Sequence, residues 1–434
     1  MNGRIMKMVR QAREASYTLR ACSLKQRNEA LRKLSCLLVE RTSEILAANR
    51  EDVRRAEAEG MAEAPLARLH LDEKKLSGLC SGLTVLAGLP DPVGIQQIHR
   101  ELADGLILKR ISCPIGVVAV IFESRPDALI QIGSLCLKSA NCALLKGGRE
   151  AAETNAILFS LLKEAGKSAG LPEGWVGLLT SREDVTTLLS MDRDVDLVIP
   201  RGSGAFVRYI MEHTNIPVLG HSEGICHLYL DAGCDSIMAA RLAVDAKCQY
   251  PAACNSIETL LWHCDASEAL LLAARALTEN GVRLLADNAT CSILSEVAIP
   301  CEFVEEEAYK NEYLSLVLNL VRVNSVEEAV EHINRYGSHH TDAIVTANEE
   351  SWRYFSGAVD SAGVYRNCST RFADGYRYGF GAEVGIATGR LHARGPMGLE
   401  GLCSYTYRLE GKGDTVGEFA AGKRIFTHRD LPLV

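Results

Sequence analysis

None of the glycine-bearing turns in the 434-residue chain fits the GxGxxG fingerprint or a P-loop, and none of its fifteen cysteines forms a CxxC pair. The first absence removes the two commonest phosphate-cradle signatures, and the second removes zinc-knuckle and thioredoxin-type sites. No excess of positive charge exists either. Lys and Arg number 47 against 55 Asp and Glu, for a net charge of -8, so no broad cationic face for nucleic acid is advertised. Apolar runs are short. Ile115 to Phe122 is among the longest and is far too short to span a membrane. The N-terminus, Met1 to Met8, lacks an apolar segment followed by a small-residue cleavage site, so a mature, cytoplasmic protein is expected. The cysteines are odd in number and scattered, which fits reduced, mostly buried thiols. At 47% apolar and 24% charged residues the composition is that of a folded protein, and the length suggests two or three domains.

One stretch stands out against the apolar runs around it: Ala246 to Glu258, containing Tyr250-Pro251-Ala252-Ala253-Cys254-Asn255-Ser256. It is small and polar, and Tyr250 before Pro251 is pushed out of helical geometry. Cys254 is the candidate nucleophile. If the apolar run behind it, Ile257 to His263, is helical, Cys254 sits at a helix start, where unpaired N–H groups favour a thiolate. If that run is a strand, the cysteine sits at a loop-to-strand junction and the dipole argument lapses. Both readings stand on the residues alone.

In chain order, the first 95 residues read as helices, with apolar faces at helical spacing over Arg4–Ser23, Lys25–Asn49 and Leu71–Leu86. Gln96–His99 and Leu106–Ile111 read as a hairpin turning at Ala103-Asp104-Gly105. Strand and helix then alternate through Val117–Phe122, Asn141–Lys146, Trp175–Leu179 and Val195–Pro200, which predicts a parallel α/β sheet. Ligands in such sheets bind beyond the C-terminal strand ends. Three turns there combine small residues with positive charge: Glu123-Ser124-Arg125-Pro126, Lys146-Gly147-Gly148 and Arg201-Gly202-Ser203-Gly204. Each suits phosphate held by backbone N–H groups. A second α/β unit follows from Gly224, with strands at Cys226–Leu230, Val282–Ala286, Ser315–Val323, Ala343–Thr346 and Val364–Asn367. The C-terminal section is glycine-rich, and Ser404–Leu409 and the alternating tail beyond Gly413 read as final strands.

Six ordered motifs carry a resemblance: Cys113 to Gly116 with Phe122 to Pro126, Leu144 to Gly148, Ile199 to Ser203, Tyr250 to Asn255, Ser369 to Gly375, and Leu391 to Leu399. Together they resemble the gamma-glutamyl phosphate reductase family, a branch of the aldehyde dehydrogenase superfamily, over essentially the whole chain. The resemblance implies an α/β fold of the aldehyde dehydrogenase kind, with two Rossmann-like domains and an oligomerisation element built from the β-hairpin and C-terminal strands. Its divisions would be 1–95 for N-terminal helices, 96–113 for the hairpin, 114–223 for NADP binding and 224–385 for catalysis. Residues 386–405 would return to the cofactor domain, and 406–434 would supply oligomerisation strands.

The implied activity is NADPH-dependent reduction of L-glutamyl 5-phosphate to glutamate 5-semialdehyde and phosphate, the second step of proline biosynthesis from glutamate. It runs through a thioester on Cys254. Asn255 and Ser124 are the expected side-chain donors to the oxyanion, beside the Cys254 backbone N–H. Arg125, Ser369, Thr370, Arg371, His221 and Arg394 are expected to bind substrate, the arginines because their forks suit its oxyanions. Lys146, Gly147, Arg201, Gly202, Ser203 and Glu312 are expected to bind NADPH or NADP+. No metal site is expected. The expected assembly is a homodimer or homotetramer, with a transient contact to glutamate 5-kinase and no nucleic-acid or membrane partner. The stretch Val218 to Gly224 lacks a glutamate at the place where hydrolysing aldehyde dehydrogenases keep their water-activating base, and Glu223 falls later. Gln249 stands where the family usually has aspartate, and His339 replaces a glycine. The rival reading is another phosphorylating or acylating oxidoreductase of the same superfamily acting on a different acyl group.

Overall fold

The computed structural model describes residues 3–221, 223–380 and 383–433. The chain divides into two compact units. The first comprises Met1–Leu219, Phe380–Gly385 and Met397–Val434, and the second Gly220–Gly379 and Ile386–Pro396.

The first unit opens with α1 (Gly3–Leu19), α2 (Leu24–Glu40), α3 (Thr42–Ala58), α4 (Glu63–Leu69) and α5 (Glu73–Gly88). On α1, Ile5, Val9, Ala12, Ala15 and Leu19 are buried, one apolar stripe at the helical period. A capping box between Ser23 and Gln26 starts α2. The periodicity over Lys25–Asn49 belongs to two helices rather than one. Arg41 alone leaves helical geometry, at φ -105° and ψ 17°, and a one-residue interruption barely disturbs the spacing of apolar positions.

Strands β1 (Gln96–Ala103) and β2 (Leu106–Pro114) form the expected antiparallel hairpin, with Gly105 at φ 75° in its turn. The strand Cys403–Glu410 pairs with β2, and Arg429–Asp430 pairs with β1. Between these two lies a short helix, Val416–Ala420, where the alternating tail had suggested strand.

The core of this unit is a four-stranded parallel sheet of β3 (Val117–Phe122), β4 (Cys142–Lys146), β5 (Val176–Leu178) and β6 (Leu197–Arg201), in the order β5-β4-β3-β6. All six residues of β3 are buried, as its unbroken apolar run requires. Helices α6 (Pro126–Lys138), α7 (Ala152–Ser168), α8 (Arg182–Leu189) and α9 (Gly204–Glu212) alternate with the strands.

The second unit holds seven parallel strands: β7 (Cys226–Leu230), β8 (Ile257–His263), β9 (Arg283–Ala286), β10 (Glu302–Phe303), β11 (Val317–Val323), β12 (Thr341–Val345) and β13 (Gly363–Arg366). Their order is β10-β9-β11-β8-β7-β12-β13. The run after the cysteine is therefore strand β8, and its helical alternative is excluded. Leu228, Leu260, Leu320 and Ala343 join one core, with residues of α10 (Ser236–Cys248) and α11 (Ser267–Glu279). Tyr229, Leu261, Val321 and Ile344 join the other. Successive residues thus point to opposite faces, and both faces are covered. Helix α12 (Asn288–Glu296) was not anticipated; Asp287 caps it through Thr290 N at 2.7 Å. Helices α13 (Val326–Tyr336) and α14 (Glu349–Ala358) follow β11 and β12.

Candidate active site

In the second unit the chemistry-bearing residues gather at the N-terminal edge of the parallel sheet, not beyond the C-terminal strand ends. His221, Glu223 and Gly224 lead toward β7, Cys254 into β8, Glu312 into β11 and His340 into β12. Because the strands are parallel, their leading residues share one edge, and hydrogen bonds tie them together. Gly224 N donates to Glu312 Oε1 at 2.9 Å, and Ile225 N to Ser338 Oγ at 2.8 Å. Cys226 Sγ donates to Cys254 O at 3.3 Å.

The cysteine turn is fixed from both ends. Helix α10 stops at Cys248, and Tyr250-Pro251 starts a turn in which Ala253 N donates to Tyr250 O at 3.2 Å. Ser256 N then donates to Ala253 O at 2.9 Å, bracketing Cys254. A Cβ placed on Gly224 would lie 2.2 Å from Cys254 O and 2.5 Å from its Cα, so only glycine allows this approach. Below the turn, Lys247 and Glu258 form a fully buried ion pair at 2.7 Å, and Lys247 Nζ also holds Ile257 O at 2.9 Å. Burial lifts the Glu258 carboxyl to about 7 against the opposing pull of Lys247.

Asn255 braces this loop. Its Nδ2 donates to Ala373 O at 2.9 Å, its own carbonyl accepts from Thr370 Oγ1 at 2.6 Å, and its Oδ1 is buried with no hydrogen-bond partner among the described residues. One of its two amide N–H groups is thus committed to the loop. Ser369 Oγ accepts from Arg371 N at 3.3 Å. Arg371 is nearly buried; its Nε donates to Gln249 Oε1 at 2.9 Å, and its guanidinium lies 6.0 Å from the Tyr250 ring centre. Burial and the neighbouring Arg377 pull it below its ordinary value, while the charge of a Cys254 thiolate would act the other way.

A ring nitrogen of His221, a ring nitrogen of His340 and Cys254 Sγ lie within 4.8 Å of one another. The two rings meet edge to face at 5.1 Å. His221 Nδ1 contacts Ile386 O at 3.1 Å, which makes Nδ1 the donor. Glu312 is desolvated, which raises its carboxyl, although the Gly224 N–H partly offsets this. Arg394 is tied elsewhere, to Asp360 Oδ1 at 2.8 Å and Thr388 O at 3.2 Å.

The three turns of the first unit do follow β3, β4 and β6, at the C-terminal edge of their sheet. Strands β4 and β6 lie on opposite sides of β3, so the sheet order reverses there, as at dinucleotide crevices. Ser124 has φ 42°, and both its N and its Oγ donate to Glu150 Oε1, at 2.6 and 2.9 Å. Arg125 reaches Asp127 at 3.4 Å. Lys146 ends β4 half-buried; desolvation lowers its ammonium, opposed by Glu150 and Glu123. A Cβ on Gly147 would strike Asn155 Nδ2 at 2.3 Å, and one on Gly202 would meet Glu123 Oε2 at 3.1 Å. Ser203 is the N-cap of α9 but makes no side-chain capping bond, and Arg201 ends β6.

The aldehyde dehydrogenase family model matches residues 2–281. A gamma-glutamyl phosphate reductase of Prochlorococcus marinus is 49% identical over 433 residues, covering 100% of this chain and 98% of the relative. One of Parasynechococcus marenigrum is 53% identical over 411 residues, 94% of this chain and 93% of its own. The chain belongs to the gamma-glutamyl phosphate reductases. The crystal structure of the Thermotoga maritima gamma-glutamyl phosphate reductase superposes with a TM-score of 0.91 at 35% identity, covering 95% of this chain and 99% of that one. The family activity is that of a glutamate-5-semialdehyde dehydrogenase, an oxidoreductase of proline biosynthesis. Among the described residues, no helix is long and apolar enough to cross a membrane.

His221 therefore lies beside Cys254, as do the elements that carry Asn255, Thr370 and Arg371. Arg394 makes its bonds to Asp360 instead. The sequence reading passed over His340, Gly224 and the Lys247–Glu258 pair. The available signal was position: each stands at or near the start of, or just behind, a buried parallel strand.

Proposed function

We propose that this chain reduces L-glutamyl 5-phosphate to glutamate 5-semialdehyde with NADPH, through a thioester on Cys254. The observation that carries this reading is the Cys254 turn, pinned by Gly224, Thr370 and Ser256, with two imidazoles at the sulfur and Arg371 anchored beside it. An acyl phosphate is already activated, and phosphate is a stable leaving anion. The Cys254 thiolate forms the S–C bond as the acyl C–O bond breaks. Bound NADPH would supply a hydride to the thioester carbon. The tetrahedral oxyanion is held by the Cys254 backbone N–H, with the second amide N–H of Asn255 as the side-chain candidate beside it. Collapse returns the thiolate and releases aldehyde.

Arg371 is the proposed partner of a substrate anion. Its tie to neutral Gln249 fixes the fork without cancelling its charge. Lys146, Gly147, Arg201, Gly202 and Ser203 suit the phosphates of NADPH. At Gly147 and Gly202 the place of a side chain is taken by Asn155 and Glu123, and the first N–H groups of α9 are not taken by the Ser203 hydroxyl. Glu312 remains a candidate for a ribose hydroxyl. Exposed Tyr405, Tyr407 and Leu409 on the strand paired with β2 make the hairpin sheet the proposed subunit contact.

The test is the reverse reaction, since the acyl phosphate is labile. Pyrroline-5-carboxylate, NADP+ and phosphate are mixed with protein, and NADPH is followed by absorbance. Phosphate-dependent NADPH formation that vanishes in Cys254→Ala is expected. No turnover with either nicotinamide cofactor would reject the substrate reading.

A further inference from the structure

His340 is 1% exposed, and its Nε2 has no hydrogen-bond partner among the described residues. Its Nδ1 contacts Thr341 Oγ1 at 2.9 Å, which leaves Nε2 as the ring atom open to the neighbouring sulfur. A buried polar atom without a partner costs stability, so a group placed this way needs a reason. The reason at hand is Cys254, whose Sγ lies within 4.8 Å of a His340 ring nitrogen, a span that one water molecule bridges.

We propose that His340 is the proton acceptor and donor for Cys254, an assignment that rests on the thioester reading above. The thiol proton passes to His340 Nε2, and the sulfur lone pair forms the S–C bond to the acyl carbon. The acyl C–O bond breaks with its electron pair on the phosphate oxygen, which takes the proton from the imidazolium. After reduction the C–S bond breaks, its electron pair returns to sulfur, and one solvent proton restores the starting pair. This supplies the single proton that the overall reduction consumes.

Other charged and titratable groups lie around the pair. Arg371, tied to Gln249, and the His221 ring lie beside the turn that carries the sulfur. Glu312 lies near His221 and is held by the Gly224 N–H. Cys226 donates to the Cys254 carbonyl, and Asp342, beyond Thr341, is engaged by His227 at 2.8 Å and by Ser361.

The test needs no substrate. Iodoacetamide alkylation is followed peptide by peptide at pH 6.5 and pH 9, with exposed Cys36 as the reference thiol. A free thiol slows by more than tenfold from pH 9 to pH 6.5, whereas Cys254 should stay within about threefold. His340→Asn and His340→Gln should give Cys254 the steep profile of a free thiol, and His221→Asn should not. A wild-type Cys254 profile as steep as that of Cys36 overturns the proposal even if neither His340 variant folds. So does a flat profile that survives in a folded His340 variant. A flat, His340-dependent profile without reverse reductase activity would instead sink the substrate reading and leave the pair standing.

Discussion

Gly224→Ala should damage turnover far more than it damages the fold. The added methyl would sit 2.2, 2.5 and 2.7 Å from the Cys254 O, Cα and C atoms, and ordinary contact begins near 3.4 Å. All three are backbone atoms, so no side chain can swing aside. Both partners are anchored: Gly224 by the Glu312 carboxylate, the cysteine turn by the Ser256 N–H and by Thr370 on Asn255. The sulfur must therefore shift by about 1 Å, a displacement that can cost on the order of 100-fold in rate. That corresponds to about 2.7 kcal/mol of barrier. Overpacking of this kind costs about 1–3 kcal/mol of stability, which leaves a folded protein. The assay is kcat of the reverse reaction beside a thermal melt. Activity within about threefold of wild type, at unchanged melting temperature, would refute the view that this contact sets the position of Cys254.

Lys247→Met strands the Glu258 carboxylate in the core and should cost about 3–5 kcal/mol by urea unfolding; adding Glu258→Leu should recover much of the loss. Thr370→Val removes the 2.6 Å bond to Asn255 O and should lower kcat/KM by roughly tenfold, with a stability loss of about 1 kcal/mol. Burial, then the charges of His227 and Arg335, depress His332 to about 3. The unfolded chain takes up that proton near 6.5, so stability is present above 6.5 and is lost as pH falls toward 3. At pH 5 the loss is up to about 2 kcal/mol, and His332→Phe should flatten this part of the melting-temperature profile.

The α/β class and nearly every parallel strand were legible, because buried parallel strands are unbroken apolar runs bounded by glycine, proline or aspartate. The turns at Ser124, Lys146 and Arg201 were legible for the same reason: each directly follows such a run. The edge on which Cys254 sits was not. Local pattern says that a loop adjoins a strand, but the shared N-terminal edge is a property of the seven-strand order, which brings leads distant in sequence together. His340 illustrates this. Beside His339 in the sequence it looks like one of two loop histidines, and only the register of β12 against β7 buries it near the sulfur. The break at Arg41 escaped because apolar spacing runs through it. The tail beyond Gly413 is strand only in part: Arg429–Asp430 pairs with β1, but Val416–Ala420 is helical, because alternation over so short a stretch cannot separate strand from turn and short helix.

The central claim is that phosphate, rather than water, releases the acyl group from Cys254. Its most direct measurement is the first turnover in phosphate-free buffer with pyrroline-5-carboxylate and NADP+. The account predicts a burst of about one NADPH per subunit that then stops, a glutamyl adduct on the Cys254 peptide by mass spectrometry, and resumed turnover when phosphate is added. Steady NADPH formation without phosphate, or an adduct on another cysteine, would contradict it.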